Sequence, residues 1–359
     1  MTEVQTSYNI AGLMSGSSLD GLDIAFCKLS KQNENWSYEF LHTITIPFPK
    51  KVTEILTSLS ESSGIEAIES ADNYFGSWMA DTIENEISKH PEYLLDAIVS
   101  HGHTIYHRPD KGITLQIGSG QIMANTTGIP VINNIRQADV NAGGQGAPLV
   151  PITDELLFSE FDCCINIGGI SNISFVRNNR RIGFDICAAN QLLNALSNQL
   201  GLAYDEGGSI APTGKIDTTL LQQLDDIPFL KLSPPKSLDN YTVQEFWIKQ
   251  CIDAKGLTKD ILATATEHIA KQIGSAMNES SAQSVLITGG GAYNTTLISG
   301  ISRYGGIEFN PAAAQLIEYK ESLAMALMGA LFLRNEVNCI PSVTGALQAV
   351  RAGELHLPE

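Results

Sequence analysis

One glycine-rich turn and one aspartate open the chemistry that this chain offers. Residues 12–23 read Gly-Leu-Met-Ser-Gly-Ser-Ser-Leu-Asp-Gly-Leu-Asp. Glycines let backbone N–H groups approach a ligand closely, and serine hydroxyls add donors. The run Gly16, Ser17, Ser18, Leu19, Asp20, Gly21, Leu22, Asp23 therefore suits a polyphosphate tail. Asp20 repels a bare phosphate, so a Mg²⁺ between them, with Asp20 as its ligand, is the natural complement. Taken alone, such a turn is more simply an ordinary hairpin. The device recurs, however, at Gly168-Gly169 and again at Gly289-Gly290-Gly291. Three such turns after apolar runs are harder to explain without a ligand. Asp185 closes the run Arg181-Ile182-Gly183-Phe184. A carboxylate at a strand end is held rigidly and can face a cleft; a helix N-cap or a turn aspartate is the plainer alternative.

The elements that must position these residues follow from periodicity. Ile10 to Met14 runs apolar into the first turn, and Leu22, Ile24 and Phe26 alternate with Asp23, Ala25 and Cys27 beyond it, which is a β-hairpin pattern. Strands are expected near 8–14, 22–29, 36–46, 97–99, 114–117 and 131–132, through 163–176, and at 182–184, 285–288 and 307–309. Helices are expected near 51–60, 65–89, 190–200, 242–253, 259–279 and 320–336, the last so apolar that it must be buried. The stretches 141–151, 204–217 and 233–240 read as loops. The polar run Asn133–Arg136 marks a crossing into a second domain. We expect one domain over 1–132 plus 340–359 and a second over 133–339, facing a shared cleft. His101, His103 and His107 would share one face of a regular strand, but polar residues lining a cleft are favoured over a zinc site, because no fourth ligand lies near.

Bulk properties narrow the class. At 359 residues the chain exceeds one typical core. Its net charge of −17, from 22 basic and 39 acidic residues, argues against a nucleic-acid or anionic-membrane surface, which needs basic patches. Nucleotide binding stays open, since loop amides and Mg²⁺ hold phosphates locally. The opening residues lack the basic and apolar regions of a signal peptide, and no apolar run approaches the ~20 residues that cross a bilayer. Six cysteines without a Cys-x-x-Cys pair read as reduced, buried thiols of a cytoplasmic protein.

Eight segments, GLMSGSSLDGLD (12–23), SHGHTIYHRP (100–109), LQIGSG (115–120), RQADVNAGGQGAPLVP (136–151), NIGGISNI (166–173), PPKS (234–237), ITGGGAYN (287–294) and TGAL (344–347), occur in one order along nearly the whole chain. In these the sequence resembles the anhydro-N-acetylmuramic acid kinase family of the actin/sugar-kinase/Hsp70 superfamily. The resemblance implies an α/β chain with the two-domain actin-like ATPase (ribonuclease H-like) fold and a central interdomain cleft. It implies ATP and Mg²⁺ as cofactors and hydrolytic opening of a 1,6-anhydro sugar with phosphorylation of O6, in cytoplasmic peptidoglycan recycling. Asp185 becomes the catalytic base. Gly168, Gly169 and Asn172 become the opposing phosphate loop, and Gly289, Gly290, Gly291 and Asn294 lie against the adenosine. Arg136 becomes a substrate-binding residue for a lactyl carboxylate, which suits its bidentate fork; from the residues alone, a surface arginine paired with Asp139 is as good a reading. Glu321 becomes a second substrate contact, although an acid opening a helix is expected from the helix dipole alone. A homodimer is implied as well.

The chain departs from the family where Thr-Gly-Pro-Gly follows the base; here Ile186-Cys187-Ala188-Ala189 stand instead. Asn134 and Asn194 replace aspartates, His103 replaces a glutamine, and Leu238-Asp239-Asn240 follow the PPKS run. These departures keep a second expectation alive: an ATP-binding protein of the same fold that acts on another sugar, or as a non-catalytic regulator.

Overall fold

The computed structural model describes residues 5–16, 19, 21–309 and 312–359, so Ser17, Ser18 and Asp20 lie outside the described residues. By its internal contacts the chain divides into Met1–Leu157 with Tyr319–Glu359, and Phe158–Glu318.

In the first unit, β1 (Ser7–Ser15), β2 (Gly21–Gln32) and β3 (Asn35–Pro47) form an antiparallel meander. β4 (Ala97–Ser100) pairs parallel to β1. β5 (His103–Arg108) and β6 (Ile113–Ile117) form a separate hairpin, and β7 (Val131–Asn133) returns parallel to β4. The C-terminal strand Glu354–His356 closes the edge beyond β7. The sheet therefore runs from that strand through β7, β4, β1 and β2 to β3. β4 is buried throughout, as a continuous apolar strand covered on both faces must be. The helix Ile65–Lys89 supplies Phe75, Met79 and Ile83 to this core.

The helix Ala314–Leu333 packs on the same sheet. It starts earlier than the apolar run predicts and is interrupted at Tyr319 (φ −113°, ψ 15°), where the chain enters the first unit. From Ser322 to Leu331 its residues are buried on all sides. A Cβ at Gly12 would run into the Ser322 carbonyl, and one at Gly329 into the Val99 side chain, so backbone and sheet touch there directly.

In the second unit, β8 (Cys163–Ile167), β9 (Ile170–Arg177) and β10 (Arg180–Ala188) form a second meander, and β11 (Val285–Thr288) pairs parallel to β8. The order is β10-β9-β8-β11. Both units thus place a fourth strand parallel beside the first strand of a meander, the ribonuclease H-like order. Its duplication in one chain is the actin-like ATPase pattern. The helix Thr258–Ser280 buries Ile261, Leu262, Ile269 and Ile273 in the second core. On the same helix His268 donates or accepts at both ring nitrogens: Nδ1 with Asp225 at 2.7 Å, and Nε2 with the buried Trp247 indole at 3.2 Å. Burial raises the Asp225 carboxyl, but hydrogen bonds from His268 and Lys271 outweigh that and hold it at about 2.

By internal contacts the units cross at 157/158 and 318/319, whereas the sequence suggests domain crossings at 132/133 and 339/340. The physical reason is bonding: Asp139 is joined to Thr344, and Asp154 pairs with Lys320 at 2.6 Å, both within the first unit. Residues 307–309 are not a strand; the preceding span forms the helix Thr295–Gly305. The loop reading 141–151 holds apart from the helical residues at its two ends, and 204–217 is a loop that contains two short 3-10 turns, Glu206–Gly208 and Ala211–Thr213. The six cysteines are buried thiols, and no helix among the described residues is long and apolar enough to cross a membrane.

Gly12→Ala is expected to cost about 2–3 kcal/mol, because the clash is with backbone that cannot rotate away. Urea unfolding tests this; an unchanged midpoint would mean that β1 and the helix separate more readily than their packing implies.

Candidate active site

In the first unit, three neighbouring parallel strands end at one edge of the sheet. β1 leads into the glycine turn, β4 into His101, and β7 into Arg136. Ligands of open α/β sheets collect at such carboxyl ends. Gly21 needs to be glycine here, because a Cβ would stand 2.6 Å from the Ile46 carbonyl oxygen. Leu19 adopts a left-handed φ of 57°, uncommon for a residue other than glycine. Asp23 accepts from Thr45 Oγ1 at 2.5 Å, and its carbonyl accepts from Ser322 Oγ at 3.2 Å. The glycine hairpin is thereby tied to the segment that carries Glu321, which follows the interruption at Tyr319 and does not open the helix.

Arg136 is not paired with Asp139. Its Nε donates to His101 Nε2 at 2.8 Å and its Nη1 to the Gly146 carbonyl at 2.5 Å. His101 Nδ1 lies 2.9 Å from the Gly102 carbonyl, so it carries the proton and Nε2 is left as the acceptor. Burial first, then the Arg136 charge, pushes His101 down to about 3. Asp139, with no exposed surface, accepts from the Gly146 N–H at 2.8 Å and Thr344 Oγ1 at 2.7 Å. His103 Nδ1 meets Ser15 Oγ at 2.8 Å, and His107 Nδ1 meets Thr114 Oγ1 at 2.8 Å. A register shift between Thr104 and Tyr106 breaks the alternation that would have put the three histidines on one face. Each histidine is bonded to a different partner. Among the described residues no cluster of three or more His, Cys, Asp or Glu is placed to hold a metal.

In the second unit the register assembles a polar row. Asp185 on β10 is opposite Asn172 on β9, Asn172 is opposite Asn166 on β8, and Asn166 is opposite Thr288 on β11. Directly opposed residues share a face, so these four side chains line one side of the sheet. Thr288 Oγ1 donates to Asn166 Oδ1 at 3.2 Å. Asp185 does not close its strand: β10 continues to Ala188, with a bulge between Asp185 and Cys187. Nor does it cap a helix, because its Oδ2 accepts from the Leu238 N–H at 2.8 Å. A bulge is a common means of aiming a functional side chain.

The turn Gly168-Gly169 lies at the end of β8. Its carbonyls accept from the N–H groups of Ala189, Asn190 and Gln191, at the start of the helix Asn190–Asn198. Gly289 has φ 81°, and a Cβ there would stand 2.7 Å from Ile167 backbone and 2.8 Å from Asn166 Oδ1; Gly291 is equally close to the Ile167 side chain. The 289–291 turn is therefore packed against the end of β8. Gly290 has room. Asn294 caps the helix Thr295–Gly305 through Leu297 N–H at 2.9 Å.

Asn166, Thr288 and the Leu238 amide were missed by sequence reasoning. The first two lay inside the quoted motifs, and register alone makes them neighbours of Asp185. The buried pair Lys320–Asp154 was missed as well, because a lysine before Glu321 reads as a surface residue.

The fold and these sites define an actin-like protein with glycine turns at the strand ends of both units. The profile of the family described as anhydro-N-acetylmuramic acid kinase matches residues 8–358. An anhydro-N-acetylmuramic acid kinase of Bacillus cereus (strain Q1) is 34% identical over 97% of this chain and 99% of its own length. One of Crocosphaera subtropica is 32% identical over 97% and 98%. This chain belongs to the anhydro-N-acetylmuramic acid kinase family. Among solved structures, the activator of the 2-hydroxyisocaproyl-CoA dehydratase from Clostridium difficile aligns with a TM-score of 0.45 at 16% identity, over 89% of this chain and 93% of that one. The ROK hexokinase from Thermus thermophilus aligns with a TM-score of 0.35 at 15% identity, over 90% and 99%.

Burial lowers His103 to about 4, alongside His101 at about 3. Unfolded histidines take up protons near 6.5. Between about pH 6.5 and 4 the unfolded chain therefore binds more protons, and stability falls as pH falls. His103→Gln is expected to remove about one proton from that slope. Urea midpoints measured from neutral to mildly acidic pH test this; an unaltered slope would mean that His103 is already protonated in the folded chain.

Proposed function

We propose that this chain is an ATP-dependent kinase that opens the 1,6-anhydro ring of anhydro-N-acetylmuramic acid by hydrolysis and phosphorylates O6, giving N-acetylmuramic acid 6-phosphate in peptidoglycan recycling. The observation that carries the reading is family membership from residue 8 to 358 together with a carboxylate, Asp185, fixed on the polar face of the second sheet.

Asp185 takes a proton from a water whose oxygen bonds to the anomeric carbon. The bond from that carbon to O6 breaks, O6 bonds to the γ-phosphorus, and the bond from phosphorus to ADP breaks. An ether oxygen is a poor leaving group, and capture on phosphorus drains its charge as it departs. What remains for the protein is alignment and stabilisation of charge. Gly16 to Asp23, with Gly168, Gly169 and Asn172, suit the phosphates, and Gly289 to Gly291 with Asn294 suit the adenosine. Mg²⁺, held through Asp20, would neutralise phosphate charge. Arg136, held by His101 and Gly146, presents its guanidinium for the lactyl carboxylate, and Glu321 supports the sugar. ATP as co-substrate supports a cytoplasmic reaction, and a homodimer is the form the family resemblance favours.

A mass-spectrometric assay in ¹⁸O-water with Mg·ATP and 1,6-anhydro-N-acetylmuramic acid is expected to yield the 6-phosphosugar with one ¹⁸O. Asp185→Asn is expected to lose on the order of 10²–10⁴-fold in turnover with ATP affinity retained; normal turnover would remove Asp185 as the base. Arg136→Gln is expected to raise the KM for the sugar roughly 10–100-fold, the worth of a charged hydrogen bond, and to leave that for ATP unchanged. An unchanged sugar KM would assign the carboxylate contact elsewhere.

A further inference from the structure

We propose that Lys236 is a positioning residue for the Asp185 carboxylate, acting through the short strap 234–238; this rests on the reading of Asp185 as the base. The strap has no strand or helix of its own, yet it holds Asp185 twice. The Asp185 N–H donates to the Lys236 carbonyl at 3.1 Å, and Asp185 Oδ2 accepts from the Leu238 N–H at 2.8 Å. Wherever the strap sits, the carboxylate must follow.

Apart from these two backbone bonds, the strap depends for its place on what its side chains grip. Lys236 Nζ lies 3.4 Å from the carbonyls of both Phe229 and Leu230. It also stands 4.8 Å from the centroid of the Phe229 ring and 5.5 Å from that of Phe184, the residue before Asp185. The ammonium thus anchors the strap to the turn Pro228–Lys231 and, over Phe184, to β10 itself. A half-buried ammonium loses part of its hydration, which carbonyls and aromatic faces return only when they are well placed. The charged and titratable groups that act on it are Asp185 and Cys187 on β10 and Glu279 at the end of the helix Thr258–Ser280. The Lys236 charge in turn favours the ionised form of Asp185, the form a base needs.

Lys236→Met keeps the aliphatic stem over the rings and removes the charge and its donors. The expected result is a fall in kcat of about tenfold, an unchanged KM for ATP, and an acid limb of the kcat profile moved to higher pH. Lys236→Arg should restore most of the rate and the profile. The same change made on Asp185→Asn, followed in single-turnover mass spectrometry, should have no further effect, because the residue acts through the carboxylate. An equal loss in both backgrounds, an unmoved acid limb, or a wild-type kcat in Lys236→Met would overturn the proposal and leave the base reading standing. Normal turnover by Asp185→Asn alone would overturn the base reading instead.

Discussion

A carboxylate without access to water has to be satisfied by hydrogen bonds, and in the first unit that requirement falls on Asp139. Its two oxygens take the Gly146 N–H and the Thr344 hydroxyl, and its own carbonyl takes the Gly144 N–H. One side chain therefore fixes the 143–148 loop and the C-terminal segment together. Gln145 N–H reinforces the join by donating to the Thr344 carbonyl at 2.7 Å. The position of the loop in turn sets where the Gly146 carbonyl stands, and that carbonyl holds Arg136. The Arg136 guanidinium is thus placed by a chain of bonds that begins at a buried carboxylate. Gly144 belongs to the same arrangement, because a Cβ there would run into the Asp139 carboxylate.

The second unit solves a similar problem with strand register. Asn166, Asn172, Asp185 and Thr288 come from four strands and are aligned only by the ladder between them. A slip of one residue in any pairing would turn the row to the opposite face. Gly289 and Gly291 let the turn after β11 close onto Ile167 at the end of β8, while the Gly168 and Gly169 carbonyls take the N–H groups of Ala189–Gln191, so the polar row borders backbone turns on both strands. The bulge at Asp185 sets this residue apart from the apolar sequence Ile186–Ala189 that follows it.

Local pattern made much of this legible. The hairpins around 12–27 and 163–176, the helix 65–89 and the buried helix after 320 follow from periods of 2 and 3.6 in the apolar residues. What the sequence hid was long-range. Asp139 and Thr344 are 205 positions apart, and nothing in the run Arg136–Asn141 announces that its acid bonds to the C-terminal segment instead of to the adjacent arginine. The contact-defined boundary at 157/158 depends on bonds of the same long-range kind. Asp185 was recognised by its motif, but its partner at 238 lies in a stretch that reads only as loop. The strand that carries it also proved longer than 182–184, because Cys187 and Ala188 pair with Ser171 and Ile170.

The departures after Asp185 take a different meaning from their positions. Ile186, Cys187, Ala188 and Ala189 are all buried in the core of the second unit. Cys187 carries out core bonding of its own: its carbonyl accepts from Ser171 Oγ at 3.1 Å. The contacts that this segment makes with the glycine turn at 168–169 run through backbone N–H groups, from Ala189 and Asn190 to the Gly169 and Gly168 carbonyls. Backbone donors do not depend on whether the residue is alanine or glycine. The loss of the family's glycines therefore trades turn freedom for packing volume and keeps the hydrogen bonds that hold the turn. The carboxylate beside them keeps its own partner at Leu238. On this geometry the altered segment is a buried wall behind Asp185, whose backbone N–H and carboxylate are bonded from the 234–238 side.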